Sequence, residues 1–499
     1  MSVATSVTEY KNFIDGRWVA STSHRVAENT NPANESDVIG RIRLSSREEA
    51  REAIHAAQKA FPAWSALPAP KRADYVFAAQ RIMEQRKQEI AEILTREEGK
   101  ILRESLGEVQ KTVNVLEFIA GEGRRMGGVT RPSEMPNTFC YTVRVPLGVV
   151  SLVTPWNFPL AIPAWKIAPA IVGGNTVVLK PATLTPGTAV ILMEIFEEAG
   201  LPAGVVNLVL GAGAEVGDEL LENPAVKAIS FTGSNEVGCR LYEQAARRHI
   251  KVQCEMGGKN PIVVLDDADV ELAVESTAQG AFGSTGQRCT ATSRVVVQEA
   301  VADRFVDLLK KKAESVVIGA GLDPKTSMGP SVDRGQMEKV LEYIEIGEKE
   351  DRATLVTGGK RAEDGGLKDG FFVQPTIFDH VKPTMRIARE EIFGPVISVL
   401  RVKTVEEAFE VANAVEYGLS SSVYTNDVNR IFRFIDRIET GITHVNSPTM
   451  GGEAQLPFGG MKATGVGSRE MNEEAFDFFT EIKTVYIDYT GMKRDTNVY

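Results

Sequence analysis

The chain has 499 residues, enough for two or more domains with ample core. Hydrophobic residues make up 43% and charged residues 25%, the balance of a soluble globular enzyme. With 56 basic against 67 acidic residues the net charge is −11, which argues against nucleic acid as a main partner.

Residues 1–45 form a strand-rich lead-in, with FIDGRWV as a hairpin candidate around Asp15-Gly16. The opening MSVATSVTEYKNF has neither a basic n-region nor an apolar h-region, so no secretory signal is expected. Helices follow. Ser46 and Glu49 have capping-box spacing ahead of an amphipathic run to Ala60. Lys71 to Glu98 reads as one long helix stopped at Gly99, and Ile101 to Ala120 as another. The charges on these helices read as solvated faces.

From Thr138 to Val153 the chain is β-rich, ending in a continuously apolar VVSLV suited to a strand buried on both faces. The most apolar segment, Leu160 to Leu179, is interrupted by Lys166, Gly173, Gly174 and Asn175, so it reads as buried core and not as a membrane helix. Then TVVLK (176–180), a helix from Thr188 to Ala199, VVNLVL (205–210), AISF (228–231), a helix from Asn235 and KVQCEM (251–256) alternate, as in a parallel sheet with helices on both faces. PIVVLDDAD (261–269) begins a second alternating region, with helices near 267–279, 301–315 and 333–348 and strands RVVV (294–297), VISVL (396–400) and SVYT (422–425). The tail TEIKTVYIDY (480–489) alternates like a strand and needs a partner edge, from another subunit or from its own domain.

Three stretches carry chemistry. FGSTGQRCTATS (282–293) holds Cys289, read as a nucleophile. QCEMGGKN (253–260) supplies Glu255 at the C-terminal end of a strand, where α/β folds place site groups and partial burial tunes a carboxylate toward general base. TPWNFP (154–159) supplies the side-chain amide of Asn157. Nucleophile, base and oxyanion donor are what acyl chemistry on a carbonyl needs. The competing readings are an inert thiol, a Glu facing water or paired with Lys259, and a turn Asn. Cys140, Cys239 and Cys254 read as inert. Without a CxxC pair or Cys/His cluster, neither a disulfide framework nor a metal site is expected, and a reduced, cytoplasmic protein is the natural reading. For a dinucleotide, GAGAEVG (211–217) is a near miss to G-x-G-x-x-G. FTGSNEVG (231–238) is better placed, following a strand and opening a helix whose N–H groups and Ser234 hydroxyl suit a pyrophosphate. Lys180, ending TVVLK, is in reach of an adenosine ribose or its phosphate.

With these residues in view, the chain resembles the NAD(P)-dependent aldehyde dehydrogenases along essentially its whole length. TPWNFP, NTVVLKPA, FTGS, EMGGKNP, GQRC, EEIFGPV and PFGGMK stand in that family's order and spacing. The resemblance implies the aldehyde dehydrogenase α/β fold. Its parts are a Rossmann-like cofactor domain (1–124 and 147–257), an α/β catalytic domain (258–457) and a small β oligomerisation segment (125–146 and 474–499) that builds a homodimer or homotetramer. Position by position it implies Cys289 as nucleophile, Glu255 as base, and Asn157 with the Cys289 N–H as oxyanion donors. Lys180 matches the ribose contact, Gly233 and Ser234 the pyrophosphate turn, and Glu391 and Phe393 the pair that positions the nicotinamide end. Thr154, Pro155, Trp156, Ala182, Thr183, Gly213, Phe231 and Met256 complete the implied cofactor contacts.

Two departures stand out. EMGGK replaces the common ELGGK, keeping apolar bulk. Thr183 stands where strictly NAD-using members commonly carry Glu; a neutral residue beside Lys180 removes the repulsion of a 2′-phosphate, so NADP is expected to be accepted as well as NAD. GQRC with the TATS after it and RVPLGVV most resemble the branch acting on α-ketoglutaric semialdehyde (2,5-dioxopentanoate). Aromatic (vanillin-type) and broad-range members are close in pattern. The pocket residues implied are Phe158, Ile162, Trp165, Arg288, Thr290 and Phe458, with Arg288 either facing an anionic substrate or holding its own loop. A CoA-acylating relative and a non-enzymatic structural relative are the more distant alternatives.

Overall fold

Strand and helix alternate into two sheets, each carrying a parallel core. The computed structural model describes residues 7–491; the first six residues of the N-terminal stretch read above for a signal, and the end of the 474–499 segment, lie outside the described residues. The eight-stranded sheet runs Gly465–Val466, Lys251–Glu255, Val226–Thr232, Val149–Val153, Thr176–Lys180, Val206–Leu208, Asn12–Ile14 and Arg17–Val19. Its five central strands are parallel and its edges antiparallel. Val150, Leu152, Val177 and Leu179 are fully buried, as their unbroken apolar runs require. The seven-stranded sheet runs Thr354–Thr357, Thr376–Asp379, Val396–Val402, Thr292–Gln298, Asn260–Val264, Ser420–Tyr424 and Ile442–Val445.

Parallel strands send their C-terminal ends to one side, where a crevice forms. Thr154, Lys180, Gly233 and Glu255 stand at or just beyond the ends of four neighbouring strands in this way.

Ser46 caps the helix Arg47–Ala66 and Glu49 closes the box. The Asp15-Gly16 turn joins Asn12–Ile14 to Arg17–Val19, with positive φ at both residues. The expected single helix over Lys71–Glu98 is instead two, Ala69–Gln85 and Lys87–Glu98, ending at a left-handed Gly99. Arg86 ends one and starts the other, its side chain tied to Glu89 and Glu194. The tail strand Thr480–Asp488 finds its partner in the same chain, antiparallel to Thr138–Pro146 along its whole length. Thr130–Pro132 lies on the far side of Thr138–Pro146, so the tail strand is an edge.

Candidate active site

Cys289 lies between the helix Val270–Phe282 and the strand Thr292–Gln298. Ser284 and Thr285 approach it with left-handed φ of 48° and 58°. Such conformations cost on the order of 1–3 kcal/mol per residue and persist only where surroundings enforce them. Here Asn157 Nδ2 donates to the Gln287 carbonyl at 3.0 Å, and Asn260 Nδ2 donates to the carbonyls of Cys289 and Ala291 at 2.8 Å. Gln287 Oε1 accepts the Val332 N–H at 2.9 Å. The pinned loop turns the thiol onto a wall shared by two cavities.

The first cavity, about 170 Å³, is lined by Pro155, Trp156, Asn157, Ile162, Thr232, Gly233, Ser234, Met256, Glu391 and Phe393. It shares Ser234, Lys339 and Glu391 with a neighbouring cleft of about 470 Å³. Glycines set how closely its walls approach: a Cβ at Gly233 would lie 2.5 Å from the Phe231 ring, one at Gly238 2.4 Å from Met256 Sδ, and one at Gly257 2.2 Å from Glu391. The helix Asn235–Arg247 starts here, and Ser234 makes no side-chain cap to it, leaving hydroxyl and N–H groups for an anion. Thr154 and Thr232 have buried hydroxyls without partners among the described residues. Lys180, 6% exposed, donates to the Pro181 carbonyl at 2.9 Å, and burial pushes its ammonium down to about 8. Trp156 and Phe393 meet edge-on with ring centres 5.4 Å apart, and Phe393 holds a left-handed φ of 61°. Glu391 Oε1 accepts the Gly258 N–H at 3.0 Å. A helix N-terminus, the Thr232 hydroxyl and an aromatic pair around one cavity, with the Lys180 ammonium and the Thr154 hydroxyl at the ends of neighbouring strands, fit a dinucleotide.

The second cavity, about 240 Å³, is walled by Phe158, Ile162, Trp165, Thr290 and Phe458, with Trp165 and Phe458 stacked at 5.5 Å. Arg288 reaches it too, but its charge is committed: Nη2 pairs with Glu104 at 3.2 Å and Nε donates to Ser284 Oγ at 2.9 Å.

Burial pushes the Cys289 thiol up to about 12; the Lys111 ammonium opposes this, while Glu391 and Glu255 reinforce it. Glu255, 4% exposed, is held well above the usual carboxylate range by burial and then by Glu470, against the pull of Lys166, Arg469 and the Gly460 N–H. Its Oε2 has no partner among the described residues. The carboxylate is packed under glycines: a Cβ at Gly459 would lie 2.5 Å from Oε1, and one at Gly465 3.3 Å from both oxygens.

The sequence matches the aldehyde dehydrogenase family over residues 18–485. This chain belongs to the aldehyde dehydrogenase family. It is 48% identical to an α-ketoglutaric semialdehyde dehydrogenase of Bacillus subtilis (strain 168), over 98% of this chain and 100% of that one. It is 45% identical to an α-ketoglutarate semialdehyde dehydrogenase of Haloferax volcanii, over 96% and 99%. Among solved structures, a betaine aldehyde dehydrogenase from Staphylococcus aureus in complex with NAD+ superposes with a TM-score of 0.94 at 35% identity, covering 98% of this chain and 96% of that one.

Within this aldehyde dehydrogenase, Cys289 and Asn157 line one cavity together, as do most of the cofactor residues read from the sequence. Glu255 lies behind that wall and lines neither cavity, though its charge is felt at Cys289. Thr154 and Lys180 also lie outside the lining of these cavities, as do Ala182 and Thr183 just after Lys180, and Gly213 is exposed on a turn whose Gly217 approaches Lys180. Phe231 supports Gly233 from beneath. Lys259, a suggested partner for Glu255, has a buried ammonium with no hydrogen-bond partner among the described residues. Sequence reading missed Glu104, Glu108 and Lys111, which line the second cavity and correct the assignment of that helix's charges to solvent. Their spacing along the helix Leu102–Glu122 puts them on one face, the signal that was available.

Proposed function

We propose that this aldehyde dehydrogenase oxidises a carboxylated semialdehyde, with α-ketoglutaric semialdehyde as the best substrate, to its carboxylic acid. The observation that carries the reading is Cys289 on the wall between a cavity that opens beside the Ser234 helix N-terminus and an aromatic pocket. The substrate choice draws support from the relatives named above. A nicotinamide dinucleotide, when bound, supplies the hydride acceptor that takes the Cys289 adduct from thiohemiacetal to thioester.

The chain's own groups do the remainder. Cys289 Sγ attacks the aldehyde carbon. One proton of Asn157 Nδ2 holds the Gln287 carbonyl and the other is left for the developing oxyanion, beside the Cys289 N–H. Glu255 takes a proton from water that releases the acid. Because the carboxylate rests behind the cavity wall, it must turn toward Cys289 to meet that water. A panel of a semialdehyde, an aromatic aldehyde and a long aliphatic aldehyde, with and without CoA, tests the whole reading. Highest kcat/KM for the semialdehyde, independent of CoA, supports it. A CoA requirement replaces it.

The buried thiol sets a pH dependence. Only the thiolate alkylates, so the rate of Cys289 modification by iodoacetamide in the free enzyme should rise about tenfold per pH unit from pH 7 to 10. Peptide mass spectrometry separates it from the exposed Cys239. A plateau below pH 8 would mean the thiol is already ionised.

NADP is used as well as NAD, because Thr183 offers no carboxylate against a 2′-phosphate near Lys180. Thr183→Glu should lower kcat/KM for NADP by about a hundredfold or more, the scale of a like-charge contact, with NAD little changed. In the parent enzyme NADP should lose ground to NAD above about pH 8, as the Lys180 ammonium deprotonates. Equal losses for both cofactors would sink this.

A homodimer or homotetramer belongs to the same proposal. It is supported by the edge strand Thr480–Asp488, with Ile482 61% and Tyr486 72% exposed in the single chain. So does a cytoplasmic setting, supported by four free thiols.

A further inference from the structure

The helix Leu102–Glu122 puts a cation into the second cavity that the reaction just described does not use. Lys111 lines that cavity with Cys289, and each group's charge is felt by the other. Its ammonium stands 5.0 Å from the centre of the Trp165 ring and 5.7 Å from that of Phe458. Aromatic faces hold a cation in place without neutralising it. Among the described residues its ammonium rests on these two rings and makes no hydrogen bond or ion pair.

The carboxylates around it are taken. Glu108 receives Lys100 at 2.8 Å and the N–H groups of Leu160 and Ala161 at 3.0 and 3.1 Å. Glu104 receives Arg288 at 3.2 Å and the Ser284 N–H at 2.8 Å. The same pairing removes Arg288 as a free cation. The backbone opposite makes space: a Cβ at Gly452 would lie 3.4 Å from Lys111 Nζ, whereas glycine leaves the ammonium open to the cavity. A charge in a pocket whose neighbouring carboxylates are engaged elsewhere gains from an occupant that supplies a counter-charge.

We propose that Lys111 binds the carboxylate of the substrate and so sets the preference for aldehydes that carry an anion at their far end. The aldehyde carbon sits at Cys289, the short chain runs along the aromatic wall that Trp165 and Phe458 form together, and the carboxylate accepts from Nζ. This assignment rests on the semialdehyde reading above.

The test compares kcat/KM for α-ketoglutaric semialdehyde and for pentanal, a neutral aldehyde of the same chain length, in the parent enzyme, Lys111→Met and Lys111→Arg. Lys111→Met keeps the side-chain bulk without charge. It should raise KM for the semialdehyde and lower the ratio of its kcat/KM to that of pentanal by roughly tenfold to a hundredfold, the size of a lost hydrogen bond between charged groups, whereas any loss through the Cys289 thiol is shared by both aldehydes and cancels in that ratio. Lys111→Arg should retain most of the selectivity. Equal losses for both aldehydes in Lys111→Met overturn the assignment, since a structural or thiol-tuning role would not discriminate. A selectivity that survives in Lys111→Met overturns it while leaving the semialdehyde reading standing. A parent enzyme that does not prefer the semialdehyde overturns both.

Discussion

Replacing Cys289 by alanine should abolish NAD(P)H production, with kcat/KM falling on the order of a millionfold, while the protein folds and binds its dinucleotide. Loss of a nucleophile has this scale because the remaining groups hold the aldehyde without forming a bond to it. The surrounding turn does not depend on the sulfur. Asn157, Asn260 and Gln287 fix it through backbone groups, which alanine keeps. Thermal unfolding with and without dinucleotide should therefore show an unchanged ligand-induced shift. Cys254→Ala is the control: that thiol is buried, is pushed up to about 12 by burial, and donates to the Gly238 carbonyl at 3.7 Å. It should leave turnover intact. Residual activity above a few per cent in Cys289→Ala would remove the thiol from the mechanism.

Glu255→Gln should separate the two half-reactions. Thiol attack and reduction of the dinucleotide survive, so one NAD(P)H per site appears in a burst. Turnover then slows by about 10²–10⁴, the usual contribution of a general base. Acid quenching after the burst should trap a mass increment on Cys289 equal to the acyl group. The pH profile follows from the direction of the shift. Burial and Glu470 hold Glu255 well above the ordinary carboxylate value, so it stays protonated over a wider acid range. A protonated carboxyl cannot accept water's proton, so kcat in the parent enzyme should fall as pH drops through that raised value. In Glu255→Gln this acid limb should disappear. Full steady-state turnover without a burst would mean that another group activates water.

The three residues proposed for catalysis could be picked out because each sits in a short stretch whose residue types make sense together. Cys289 follows a glycine-rich turn, Glu255 ends an apolar strand before two glycines, and Asn157 sits between prolines. The parallel sheets were readable from apolar runs bounded by helical stretches. What escaped was set by packing across long distances in the sequence. Arg86 interrupts a helical pattern without any glycine or proline, its side chain held by Glu194 on a distant helix. Lys111 looks like any helix-surface lysine until Trp165 and Phe458 close around it. Glu255 was expected at the crevice; its retreat depends on Gly459 and Gly465, far along the chain. The tail strand's partner could not be chosen by alternation alone, since either edge would satisfy its backbone.

The segment around Gly465 adds the last strand to the eight-stranded sheet, pairing directly with Glu255 and Cys254. The same segment brings Gly460, Arg469 and Glu470 to the carboxylate. The surroundings of Glu255 are therefore completed by residues far along the chain, and a chain ending before Gly465 would lack the strand beside that carboxylate. Such a chain would also lack Met471, Phe476, Phe478 and Phe479 from the core, so the burial that raises Glu255 and the packing that holds the fold depend on the same late segment.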